Sequence, residues 1–266
     1  LNLRLGRTRL RSIGWSQELL AETFFVDFLS ENDDLSEMDP QLLASLLENG
    51  LVLNDSKINT NTQTSALGVE YDWPVILGSG FHTTGHHERV WLIHSNEAWG
   101  SDIEFTQLYL STRWNFLLGD AWLLLLRGEA GYTDAQVREF EFEIGDVTEI
   151  ISVTQLPNAY RFKAGGSSSV RGYEFEVLAD NGLGSNNIFT ASAEIEYNFR
   201  GDWSAAAFYD VGNAFNDWSD RDLKRGWGIG LRWYTLAGSI RLDVAQALDY
   251  DDKPWTIHFT IGTPLL

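Results

Sequence analysis

Arg171 is the residue of this chain best placed to do chemistry, and what it can do is hold charge rather than break bonds. It stands in Gly165-Gly166-Ser167-Ser168-Ser169-Val170-Arg171-Gly172-Tyr173, whose glycines let a loop turn tightly and approach a neighbouring backbone. Downstream, acids recur at alternate positions as Glu194 and Glu196, then Asp210, then Asp243, with Arg232 and Arg241 in step. Strand parity puts these six side chains on one side. A guanidinium suits such a set, because its planar fork binds carboxylates bidentately and does not deprotonate. The expectation is a loop folded back against a sheet, with Val170, Arg171, Gly172 and Tyr173 at its working end. Glu196 and Asp210 are the expected partners of Arg171, within a polar network of Glu194, Arg232, Arg241 and Asp243. The residues alone also allow an exposed turn above acids that simply line a polar pore.

Other sets are weaker. His82, His86 and His87 cluster near a turn, and a metal there would need an acid such as Glu88. Solvated loop histidines are the simpler reading, so no metal is expected. No Gly-x-Ser-x-Gly elbow, P-loop or His-Glu-x-x-His occurs, and His94-Ser95 and His258 supply no recognisable hydrolase pair. Cysteine is absent, which removes disulfides, thiolate metal sites and cysteine nucleophiles. Neither enzymatic activity nor a cofactor is expected.

The elements that position these residues are strands. In 193–199, Ala, Ile, Tyr and Phe share one face and Glu194, Glu196 and Asn198 the other. The same two-residue period recurs at Ala205–Val211, Trp227–Trp233, Ile240–Val244 and Trp255–Ile261. Noisier strands are expected at about 1–12, 15–29, 61–76, 86–98, 101–117 and 121–133, giving about eleven in all. Residues 137–154 read as a hairpin inside a long loop, and 39–50 as a short capped helix in another.

Composition decides which face meets what. The longest apolar block, Ala121–Leu126, stops at Arg127, far short of the roughly eighteen residues a membrane helix needs. A membrane barrel needs only about ten alternating residues per strand, so that route stays open. The chain has 11 Trp, and Trp203, Trp218, Trp227, Trp233 and Trp255 fall near strand ends, where an amphipathic ring suits a lipid–water boundary. An apolar outer band around a polar lumen is therefore expected, rather than a soluble sandwich. The net charge of −19, much of it in probable loops, argues against nucleic acid as a partner. The chain begins at Leu1 without a leader pattern, which points to a removed signal peptide or a fragment.

Val170-Arg171-Gly172-Tyr173 resembles the VRGY/F signature of the bacterial outer-membrane assembly factors, the superfamily of BamA, TamA and the two-partner secretion transporters. Glu196-Tyr197, Phe208-Tyr209-Asp210-Val211-Gly212, Gly228–Trp233 and Gly238–Asp243 are similar to the strands that follow that loop in the family. Asn96–Asp102 is similar to the TamA type of barrel. The resemblance implies an all-β transmembrane antiparallel barrel, of which 1–266 would represent about the last eleven of some sixteen strands. The earlier strands and the periplasmic POTRA repeats would then be missing; a natural smaller barrel is the other possibility. It further implies the outer membrane of a Gram-negative bacterium, lipid around the wall, and unfolded outer-membrane proteins, above all autotransporters, as clients. An inner-membrane-anchored, periplasm-spanning partner of the TamB kind is implied as well. Trp255, Ile257, Phe259 and Ile261 would mark the strand that offers its edge to a client. A two-partner secretion transporter or a passive pore is the alternative.

Overall fold

The computed structural model describes residues 2–13, 18–32, 61–135, 137–144, 147–154, 156–235, 238–262 and 265. The helix expected at 39–50 lies outside them. Eleven strands form one antiparallel sheet in chain order: β1 (Asn2–Ile13), β2 (Glu18–Asn32), β3 (Asn61–Leu77), β4 (Thr84–Ser95), β5 (Phe105–Leu118), β6 (Trp122–Asp134), β9 (Asn187–Arg200), β10 (Trp203–Phe215), β11 (Lys224–Thr235), β12 (Gly238–Ala247) and β13 (Trp255–Gly262). The expected hairpin is present as β7 (Val137–Ile144) and β8 (Val147–Thr154), a separate two-stranded sheet between β6 and β9. Among the described residues the large sheet is open rather than a closed ring, because β1 pairs only with β2 and β13 only with β12.

The period of two decides the faces. Along β10, Ser204, Ala206, Phe208 and Asp210 are buried while Ala205, Ala207 and Tyr209 are exposed. The outer face is the apolar one: Leu92, Leu108, Leu110, Ile195, Ile229, Leu231, Leu242, Val244 and Ile257 all stand exposed. That distribution inverts a water-soluble sandwich, whose greasy face would be inside. Aromatic rings edge the band. Trp114, Trp122, Tyr197, Trp203 and Trp233 lie towards the end with tight turns, and Tyr132, Tyr209, Trp227 and Trp255 towards the end with long loops. Rings on adjacent strands pair, with centroids 5.6 Å apart for Trp203 and Trp233 and 4.7 Å for Trp122 and Tyr197.

The core lies on the inner face, where residues 156–186 fold back over the wall. Phe162 bridges to Ser185 and Ala164 to Leu178, so the returning loop has its own small ladder. Val170, Tyr173 and Leu178 pack with Tyr109, Ile188, Ala214 and Ala247 of the wall. A second cluster joins Leu156 and Tyr160 to Phe25, Ala66, Ile93 and Phe105. The loop therefore touches strands from β2 round to β13 on the inner face of the sheet.

Candidate functional site

Arg171 sits on this inner face with only 2% of its surface exposed. Its backbone N–H and Nε both donate to Asp210 Oδ2, at 3.0 and 2.7 Å, and Nη2 donates to Asp210 Oδ1 at 2.9 Å. Nη1 donates to Glu194 Oε2 at 2.5 Å and stands 3.5 Å from Asp243. The guanidinium carbon lies 3.3 Å from the centroid of the Phe208 ring, a cation–π contact that covers the face the carboxylates leave open.

Of the two expected partners, Asp210 contacts Arg171 and Glu196 does not. The second carboxylate is Glu194, and register supplies the reason. Asp210 lies opposite Ser192 and Phe208 opposite Glu194, whereas Glu196 lies opposite Ala206. A fork gripping Asp210 meets a carboxylate two residues along β9, but four residues is about 13 Å at strand rise. Glu196 instead accepts from the Tyr234 hydroxyl at 2.5 Å, 3.5 Å from Arg232 and 3.8 Å from Arg241.

Arg232, fully buried, ties the two levels together. It donates to Asp243 Oδ1 at 2.6 Å and to Glu194 Oε1 at 2.7 Å. Glu194 is thus shared by the loop arginine and a wall arginine. Arg127, missed as a member of the set, completes it: it donates to the Ser167 carbonyl and to Ser192 Oγ, and stands 3.8 Å from Asp210. Four arginines face four acidic side chains, so buried charge of each sign meets its opposite within the cluster. The signal for Arg127 was its parity with Leu123 and Leu125, which face the lumen. Such a network can brace a loop.

Glycine makes the fit possible. A Cβ on Gly172, whose φ is +99°, would stand 2.7 Å from the Gln246 carbonyl carbon, and one on Gly226 would stand 1.9 Å from the Arg171 oxygen. Tyr173 extends the anchorage, its hydroxyl donating to the Arg225 carbonyl at 3.2 Å. The Asp249 N–H donates back to that hydroxyl, and Arg225 N–H donates to Asp249 Oδ2. Burial pushes the Asp249 carboxyl up, but hydrogen bonds from Arg225 and its charge outweigh this and hold it below the usual range. A depressed acid stabilises the fold above its unfolded value and loses that contribution as pH falls through the folded one. Amide exchange should therefore show the Arg225 and Asp249 N–H groups equally protected from about pH 7 to about pH 5, then released below about pH 4. Asp249→Asn should lower that protection at neutral pH and abolish the acid step.

The histidines do not converge. His86 stacks on Trp114 and bonds Glu88, whereas His87 bonds Asp72 and the Leu265 carbonyl, so successive β4 residues point to opposite sides. Among the described residues no three side chains of the metal-ligating kinds come together. Trp255, Ile257, Phe259 and Ile261 all project outward from β13, Ile257 with 70% of its surface exposed.

The fold is an open antiparallel sheet with an apolar exterior, its inner face held to a returning loop through a buried arginine. Residues 57–264 match the Omp85 superfamily domain, and the chain belongs to that superfamily. The structure is similar to the crystal structure of BamA from Haemophilus ducreyi lacking POTRA domains 1–3, with a TM-score of 0.63 and 14% identity over 98% of this chain and 62% of that one. This chain thus spans less than two thirds of the BamA chain it resembles. CdiB from Acinetobacter baumannii is also matched at 14% identity, over 97% of this chain and 53% of that one, with a TM-score of 0.33.

Proposed function

We propose that this chain works in the outer membrane of a Gram-negative bacterium as an assembly and translocation barrel of the TamA type. Its clients are unfolded outer-membrane proteins, autotransporters above all, and an inner-membrane-anchored partner of the TamB kind delivers them. Supporting this are the Omp85 superfamily match over residues 57–264 and the apolar outer side chains of the terminal strand β13. Backbone N–H and C=O groups facing hydrocarbon are costly to leave unpaired, so a seam that opens at β13 favours a strand that brings its own donors and acceptors. A client strand satisfies that demand by β-augmentation, and no cofactor or nucleotide enters. The Arg171 cluster braces the wall and performs no chemistry.

Reconstituted in liposomes, the full-length protein should accelerate the folding of several unrelated outer-membrane barrels. Steady ion conductance with action on a single substrate would instead favour a two-partner secretion transporter or a passive pore.

A further inference from the structure

The terminal strand has a second attachment, and it comes from inside the lumen. Gly172 N–H donates to His258 Nε2 at 3.0 Å, and Thr256 Oγ1 donates to the Gly172 carbonyl at 3.0 Å. Both backbone polar groups of one buried loop residue are thus satisfied by inward-facing side chains of β13, much as a neighbouring strand would satisfy them. The geometry leaves little slack. Gly172 lies against the backbone of Gln246 and Ala247 on β12, so the loop tip cannot move outward without striking the wall. The residue before it, Arg171, is fixed to Asp210 on β10 and Glu194 on β9. The residue after it, Tyr173, is fixed to Arg225 on β11. The attachment to β13 hangs between these two clamps.

We propose that Gly172 latches the terminal strand to the lumenal loop through His258 and Thr256, so that loop and strand loosen together. His258 and Thr256 are positioning residues: they set how firmly β13 is held, and touch nothing that a client brings to the free edge. The functional weight of the latch rests on β13 being the client seam, whereas the latch itself does not. Accepting from an N–H requires a lone pair on Nε2, so the imidazole proton is on Nδ1. Glutamine at 258 can offer a carbonyl oxygen at a similar reach, and phenylalanine offers a ring without an acceptor.

The test is hydrogen exchange on the full-length protein in detergent or lipid, read for β13 and for residues 165–175. His258→Phe strands a buried donor, and should speed exchange in both segments by about five-fold or more, while β3–β5 stay unchanged. His258→Gln should restore most of the protection. Unchanged exchange in the Phe variant overturns the latch, and so does a Gln variant as fast as the Phe one. If the Phe variant does not fold, Thr256→Val is read against the same five-fold threshold and decides the matter. Client folding is scored separately in liposomes. A latch confirmed by exchange but without effect on client rate overturns the seam reading and leaves the latch standing.

Discussion

Arg171→Ala is expected to free the lumenal loop while leaving the strand ladders intact. The substitution removes four hydrogen bonds to Asp210, Glu194 and Ser192 made by the side chain and strips the cation from the face of Phe208. It also leaves Asp210, whose side chain is 0% exposed, with Arg127 at 3.8 Å as its remaining ion-pair neighbour among the described residues. Breaking a buried ion pair by removing one partner costs about 3–5 kcal/mol, most of it the stranded charge rather than the lost contact. Protease cleavage within 165–175 should therefore rise by a factor of order a hundred or more if the loop's docking equilibrium carries that cost. Arg171→Lys should recover only part of the protection. An ammonium can reach one carboxylate, but it cannot grip Asp210 with two parallel N–H groups and Glu194 with a third. Unchanged protection in the Ala variant would show that the apolar contacts of Val170 and Tyr173 hold the loop unaided.

Parity made much of this legible. Alternation along 193–261 places Glu194, Glu196, Asp210, Arg232, Arg241 and Asp243 on one side of the sheet, and the structure puts all six on the inner face. The strands follow from the same periodicity, since buried and exposed residues alternate along β5, β9, β10 and β11. What parity cannot supply is register between strands. Choosing Glu194 over Glu196 as the partner of Arg171 needs the alignment of β9 against β10, in which Asp210 faces Ser192. Nor does it tell where a long loop lands. The second anchor, in which Tyr160 donates to Asp27 on β2 while Arg4 on β1 grips the same carboxylate, joins residues more than a hundred positions apart. In the sequence, Asp27 is only a lone acid between Phe25 and Leu29, and His258 only one polar residue on the last strand. Their roles depend on which loop residue meets them.

Glu194→Gln should cost more than Glu196→Gln, and the order of the two is the sharper test of the site. Glu194 is the carboxylate that Arg171 and Arg232 share, one oxygen accepting from the loop and the other from the wall at 2.5 and 2.7 Å. A carboxamide keeps one acceptor but turns the other into an NH₂ pointing at a guanidinium, and the buried cluster is left with an excess positive charge. Glu196 has less to lose, because its short contact is from the neutral Tyr234 hydroxyl, which an amide oxygen can still accept, and its arginines stand at 3.5 and 3.8 Å. Both the protease half-time of residues 165–175 and the temperature of the heat-modifiable gel shift should fall further for Glu194→Gln. A double-mutant cycle separates direct contact from general weakening. Arg171→Ala should couple to Glu194→Gln by about 1–3 kcal/mol and to Glu196→Gln by much less, since only the first pair touch. The reverse order would mean that the fork reaches Glu196, four residues along the strand from the level of Asp210. The loop would then sit deeper in the lumen, and the contact between Gly172 and the terminal strand would have to be abandoned with it.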